Sequence, residues 1–311
     1  MHFAPLTQQH QHAWADLLAT SFERTTEDML RLLDWLHEGH TVIGWGAWDG
    51  DKLAAQYNCC MMDVQLPDGG GTATVGMSIN MAVDLAYRGR GLIKQVSQPV
   101  YEAVAACGGI AGVGFSNKQG VKVDLKSKSY GYQVVGQMQS VVVALKRQQK
   151  SGLSLTDDWP LVPFADEVNL PYQQTRFATT PQTLEHRFAR HPFRKYQFGV
   201  WQENGLVQGV VVYRAVKSVG LKGASLLAVY GAEPTELLIR WAAAVQQEGI
   251  QFVHLLTTPA ARLHSALNRL GCVVKMPYSR SPYYLTVKPF AHTPREFLDF
   301  AAWDCLGGDI L

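Results

Sequence analysis

The same order of elements is written twice along this chain, and that repetition restricts the fold more than any single motif. In the first half, apolar residues at helical spacing run through Trp14, Leu17, Leu18 and Phe22, then through Met29, Leu30, Leu33 and Leu36. Thr25 or Thr26 can cap the second of these helices. Two strand-like runs follow, TVIGWGAW and KLAAQYNCCMMDVQL, joined at Asp49-Gly50 as a tight hairpin. After the PDGGG turn come a third run, TATVGMSINMAVDL, a helix over roughly 92–106 and the buried strand GGIAGVGFS. A helix over 118–130 ends at Gly131, and QVVGQMQSVVVALK closes the unit. The second half repeats the order: a helix (TPQTLEHRFARH), a hairpin turned at Asn204-Gly205, a strand near 224–230 and a helix from Glu233 to Gln247. FVHLLTT and SALNRLGCVVKM complete it, the latter echoing KSKSYGYQVVGQM. From turn glycine to helix-end glycine, 81 residues separate Gly50 from Gly131, and 66 separate Gly205 from Gly271.

A length of 311 residues agrees with two domains, and a 47% apolar content excludes a disordered chain. The expected division is a first domain over 1–147, a linker over 148–170 in the polar, Pro-flanked stretch RQQKSGLSLTDDWPLVP, a second domain over 171–290 and a tail over 291–311. Lys+Arg 28 against Asp+Glu 26 leaves +2, so no global field draws the protein to nucleic acid or to an anionic membrane. Cys59, Cys60, Cys107, Cys272 and Cys305 form no CxxC and are expected to be reduced and mostly buried. No signal peptide and no membrane-spanning run are expected, which points to a soluble, cytoplasmic protein.

The sharpest local feature is YRGRGLIK, residues 87–94. A strand runs into Gly89 and Gly91, and a helix begins at once. Glycines let the backbone approach a ligand and turn its N–H groups outward, and the helix start adds partial positive charge. Arg88, Arg90 and Lys94 add full charges in a nearly neutral chain. This combination suits a diphosphate. It is neither GxxxxGK[ST] nor GxGxxG.

With these residues, MAVDLAYRGRGLI resembles the acetyl-coenzyme A-binding core of the Gcn5-related N-acetyltransferases (GNAT), whose signature is Q/R-x-x-G-x-G/A. Arg88 takes its first place, Gly91 its fourth and Ile93 its sixth, where a small residue is usual. The resemblance implies an α/β (α+β) chain of tandem acyl-CoA N-acyltransferase units, each a mixed, mostly antiparallel sheet flanked by helices. It implies that Met81, Ala82 and Val83 lie on a splayed strand against the pantetheine arm. Arg88, Gly89, Arg90, Gly91, Leu92 and Ile93 would hold the pyrophosphate through backbone N–H groups, and Asn117 of GFSNKQ would contact the pantetheine. TLEHRFARHPFRKY and FAAWDCLGGDIL are similar to segments of two-domain members with a degenerate second unit, some of them encoded with polysaccharide-synthesis genes. AVYGAEPTELL replaces the glycine–arginine loop in the second half, so that unit is expected to be inactive.

The implied reaction is transfer of acetyl from acetyl-CoA, without a metal, to a primary amine of a small molecule such as an amino sugar or sugar nucleotide. Many members carry a tyrosine four residues before the glycine of the helix–strand junction. Here that place is Ser127. Tyr130, rotated about 300° around a helix from it, is the candidate general acid, with packing at the helix end as the alternative. Glu23, Asp28, Asp84 and, by resemblance, the C-terminal carboxylate of Leu311 are candidates for the base. A non-catalytic CoA-binding or assembly protein is the rival reading. The lack of a basic stripe in the second half speaks against transfer from tRNA. GFSNK misses the GxSxG elbow, and His37/His40 and His10/His12 lack the spacing of a metal site. Trp35, Trp45, Trp48 and Trp201 read as core.

Overall fold

A computed structural model describes residues 1–126, 131–149, 152–165, 173–259, 262–276 and 282–310. They form two units, the first made of 1–65, 71–136 and 283–299 and the second of 66–70, 137–282 and 300–311.

The first unit begins with β1 (His2–Pro5), α1 (Gln11–Phe22) and α2 (Thr26–Gly39). Thr25 is the cap of α2, its side chain accepting from Asp28 N at 3.1 Å. β2 (Val42–Asp49) and β3 (Lys52–Gln65) follow as the expected hairpin, with Gly50 at a φ of 58°. β4 (Thr72–Val83), α3 (Leu92–Ala106), β5 (Ala111–Asn117), α4 (Lys118–Lys126) and β6 (Gln133–Gln137) complete the run. Strand alternation sorts the residues of β3 between the two faces of the sheet. Tyr57 and Cys59 meet Leu92, Ile93, Val96, Val100 and Val104 of α3, and Asn58 turns to the face where Trp14 of α1 covers Gly44.

The second unit holds β7 (Gln139–Leu145), β8 (Ser154–Thr156), β9 (Arg176–Phe177), α5 (Pro181–Leu184) and β10 (Gln197–Glu203). It continues with β11 (Leu206–Ser218), β12 (Leu221–Gly231), α6 (Pro234–Gln247), β13 (Phe252–Thr257), α7 (His264–Leu270) and β14 (Gly271–Met276). Trp241 of α6, fully buried, meets the Tyr213 ring edge-on at 5.4 Å and anchors one core. Leu184, Phe188, Phe198 and Val212 build a second core within the unit.

The division at 147 is corrected by the sheets. The first has the order β1-β2-β3-β4-β5-β15-β6, where β15 (Tyr283–Pro289) comes from far along the chain. The second has the order β14-β7-β13-β12-β11-β10-β8. In the first, β15 stands between β5 and β6; in the second, β7 stands between β13 and β14. The run read as closing the first unit breaks at Met138, with β6 in one sheet and β7 in the other. The expected linker supplies β8, an edge strand paired with β10, and residues 291–299 and 300–311 of the expected tail belong to different units. Strand pattern fixes which residues face a core but not which edge a strand joins.

Each sheet is mixed. β4–β5 and β12–β13 pair parallel, while β1–β2, β2–β3, β3–β4, β5–β15, β10–β11 and β11–β12 pair antiparallel. Cys59, Cys60 and Cys305 are buried, Cys107 and Cys272 are exposed, and all five are free thiols. Of the four tryptophans read as core, Trp35 and Trp201 are buried and Trp45 and Trp48 half-buried. Among the described residues, no helix is long and apolar enough to cross a membrane.

Candidate functional site

β4 and β5 pair over only Gly76↔Gly112, Met77↔Val113 and Ser78↔Gly114. Beyond that point each strand keeps its outer partner. β4 stays on β3 as far as Ala55↔Val83, and β5 stays on β15 as far as Asn117↔Tyr283. The two strands therefore separate into a wedge. A bulge helps to turn β4 aside: the register with β3 slips between Gln56 and Asn58, opposite Asn80 at a φ of 49°. The Gln56 side-chain amide donates to the Asn80 carbonyl and holds the bulge. Met81, Ala82 and Val83 lie on the reach of β4 that has left β5, and among the described residues no strand pairs with that edge.

The expected anion loop follows directly. Asp84 caps the turn, accepting from Ala86 N at 2.9 Å, and pairs with Lys52 Nζ at 2.7 Å. The Lys52 contact holds the Asp84 carboxyl below its ordinary range. The Tyr87 hydroxyl donates to Asp49 Oδ2 at 2.7 Å, and the Arg90 guanidinium lies 4.9 Å over the Tyr87 ring. Arg88 Nε donates to Val83 O at 3.3 Å, and Arg90 Nη2 to Ala86 O at 3.2 Å. These contacts fix the loop while both glycines remain clear. Gly89 and Gly91 sit at φ of 80° and 69°, and a Cβ at either would meet nothing within 4 Å.

Gly91 is the N-cap of α3, which carries no acidic residue in its first turn. The first amides of a helix have no acceptor within it, so this end presents donors and positive potential. Leu92 and Ile93 are buried in the core. They anchor the helix start and can offer a ligand only their main chain. Arg88, Gly89, Arg90, Gly91 and Lys94 are exposed.

The other expected residues do not converge. Asn117 caps α4, its Oδ1 accepting from Gln119 N at 3.0 Å and Gly120 N at 2.9 Å, which leaves its amide NH₂ for other contacts. Asp28 is tied to Arg31 at 2.6 Å. Glu23 is exposed at the left-handed end of α1. Tyr130, Ser127 and Leu311 lie outside the described residues. Among the described residues, no group of three His, Cys, Asp or Glu side chains could hold a metal.

Sequence reasoning passed over a cluster of hydroxyls beside the wedge: Ser78, Tyr57, Tyr101 and Tyr132. Tyr57 and Tyr101 meet edge-on at 5.5 Å between ring centroids, and Tyr101 and Tyr132 at 5.7 Å. Burial pushes the phenols of Tyr57 and Tyr101 well above the ordinary tyrosine value. Lys288 Nζ stands 5.0 Å over the Tyr101 ring, and burial lowers its pKa. The available signal was GVG in β5, whose small residues leave space on one face.

In the second unit the corresponding strands also part, after Ser225↔His254. Here the chain fills the gap itself. Thr257 bridges Leu306, Thr258 N donates to Cys305 O at 3.2 Å, and Cys305 N donates to Thr258 Oγ1 at 3.1 Å. Gly308 lies so close to β12 that a Cβ would fall 2.5 Å from Leu227 O. α6 opens with Pro234 and carries Glu236 in its first turn, which suits no anion.

Asp309 accepts from Leu306 N at 2.7 Å and faces Arg187 at 3.6 Å. Burial outweighs the arginine and pushes its carboxyl up to about 6. A carboxyl whose folded value exceeds its unfolded value favours folding while it is protonated. This contribution is complete below about pH 4 and disappears as pH rises through about 6. Denaturant melts at pH 4.5 and 7.5 should show that fall, and Asp309→Asn should flatten it. An equal slope in the variant would remove Asp309 as its source.

Residues 2–116 match the acetyltransferase (GNAT) domain family. Residues 2–116 thus carry a GNAT domain. The match runs from β1 to Ser116 of β5, one residue short of Asn117, and includes the glycine–arginine loop. Solved structures extend the likeness in fold. A conserved Enterococcus faecalis protein of unknown function aligns with a TM-score of 0.65 at 12% identity, covering 92% of this chain and 72% of that one. A GCN5-related N-acetyltransferase from Anabaena variabilis aligns at 0.61 and 13%, with 92% and 72% covered. Another from Kribbella flavida aligns at 0.60 and 15%, with 92% and 70% covered. No curated protein matches the sequence. The coverage spans both units, and the chain carries the GNAT fold in tandem.

Proposed function

We propose that the first unit binds acetyl-CoA and transfers its acetyl group directly to a primary amine of a small molecule, while the second unit binds no acyl-CoA. The observation that carries this reading is the junction of the β4/β5 wedge with the Gly89–Gly91 loop at the start of α3. The loop offers N–H donors and the cations Arg88, Arg90 and Lys94 to a diphosphate. The unpartnered edge at Met81–Val83 offers main-chain groups to the amides of the pantetheine arm, and the Asn117 amide NH₂ is a further donor. Acetyl-CoA brings an activated thioester. The protein's task is to orient it, donate to its carbonyl oxygen, and let the amine lose and the thiolate gain a proton. Tyr130→Phe tests the acid expected from the sequence: a lowered kcat with unchanged acetyl-CoA affinity assigns that second proton to Tyr130, and an unchanged kcat assigns it to another group.

A second reading, a CoA-binding protein without turnover, draws on the ion pairs that occupy Asp28 and Asp84. Thiol release from acetyl-CoA, followed with glucosamine, a nucleotide-linked amino sugar, lysine and spermidine, separates the two. Release that depends on an amine supports transfer, while binding without release supports the second reading.

A further inference from the structure

On the α3 face of the first sheet, hydroxyls run in a chain from the wedge to the far side of the core. Ser78 is the last residue of β4 paired with β5, so it stands at the apex of the wedge, half-exposed. The Tyr57 hydroxyl donates to Ser78 Oγ at 2.6 Å, and the Tyr132 hydroxyl lies 3.1 Å from that of Tyr57. Tyr101 bonds to both tyrosines. Tyr57 and Tyr101 are 3% and 2% exposed, whereas Tyr132 is only partly buried. The middle of the chain is thus shielded from water and both ends are open to it.

Room for the chain depends on a missing side chain. A Cβ at Gly112 would stand 2.7 Å from the Tyr101 ring. Phenylalanines would fill this space without hydroxyls to satisfy, and a buried polar network is costly unless its members are bonded. The loop that suits a diphosphate follows Val83 at the wide end of the wedge. An arm running back along β4 covers the five residues to Ser78, about 17 Å at the rise of a strand. Its reactive end then lies toward the hydroxyl chain.

Resting on the acetyl-CoA reading above, we propose that Tyr132, Tyr57 and Ser78 form a proton relay that serves the leaving thiolate, with Tyr101 as a positioning residue. The amine nitrogen forms its bond to the acetyl carbon, the C–S bond breaks, and sulfur keeps the electron pair. Sulfur takes the Ser78 Oγ proton, Ser78 takes that of Tyr57, and Tyr57 takes that of Tyr132. Tyr132 regains a proton from water, which has received the one lost by the amine. No phenolate has to persist, in keeping with buried phenols that resist ionisation.

The test uses the full chain, acetyl-CoA and an amine from the panel above that supports thiol release. Tyr57→Phe and Ser78→Ala should each lower kcat by about 10- to 100-fold, within the usual range for general acid catalysis, with acetyl-CoA affinity unchanged within twofold. In mixtures of light and heavy water, the wild-type rate should bend with deuterium content, as transfer of several protons requires, and the variant rates should fall on straight lines. A merely structural role would leave that curvature in place. Folded Tyr57→Phe and Ser78→Ala proteins with wild-type kcat overturn the relay alone. Absence of amine-dependent release in the wild type overturns the acetyl-transfer reading and the relay with it.

Discussion

Gly91→Asp should abolish measurable acetyl-CoA binding and leave the fold intact. Gly91 adopts a left-handed φ of 69°, a region that aspartate enters more readily than most residues, and its Cβ would meet nothing within 4 Å. The new carboxylate would stand at the N-cap of α3 and take the first-turn amides for itself. It would also place a negative charge where the diphosphate is proposed to sit. Losing two charge-assisted hydrogen bonds costs about 3 kcal/mol or more, which is on the order of 100-fold or more in affinity. Calorimetric titration should give one site per wild-type chain, because the second wedge is filled by residues 305–308 and its helix start is acidic. Unchanged affinity in a folded Gly91→Asp protein would remove the loop from the binding site.

Trp303→Ala should markedly destabilise the second unit. Trp303 is fully buried and packs against Phe177 at 6.0 Å between ring centroids. Its carbonyl accepts from Thr258 Oγ1, and Thr258 Oγ1 in turn accepts from Cys305 N. The ring thus pins the segment that closes the second wedge. Truncating a buried tryptophan costs about 3–5 kcal/mol, a fall in melting temperature on the order of 10 °C for a chain of this size. Acetyl-CoA affinity should hold, because the glycine–arginine loop belongs to the first unit. A melting temperature within about 2 °C of wild type would mean that the segment contributes little to closing the wedge.

The glycine–arginine loop was legible in the sequence because everything it needs is local: two glycines, flanking arginines and a helix start within a few residues. The doubled element order was legible for the same reason. The exchange of β7 and β15 between sheets was not. Gln139–Leu145 and Tyr283–Pro289 show the alternation of a strand with a buried face, but the choice of neighbour depends on which gap between strands each one fills. The hydroxyl cluster was hidden by distance. Tyr57, Tyr101 and Tyr132 lie on a strand, on a helix and just before another strand, and no spacing rule connects them. The filling of the second wedge depends likewise on contacts between Thr258 and Cys305, far apart in the chain.

Amine-dependent release of CoA thiol by the purified chain tests the central claim most directly. With acetyl-CoA and the amine panel, release should rise with the concentration of at least one amine, yield that amine carrying one added acetyl group, and vanish in Gly91→Asp. Acetyl-CoA bound with one site per chain, but with no thiol released and no acetylated amine across the panel, would contradict it.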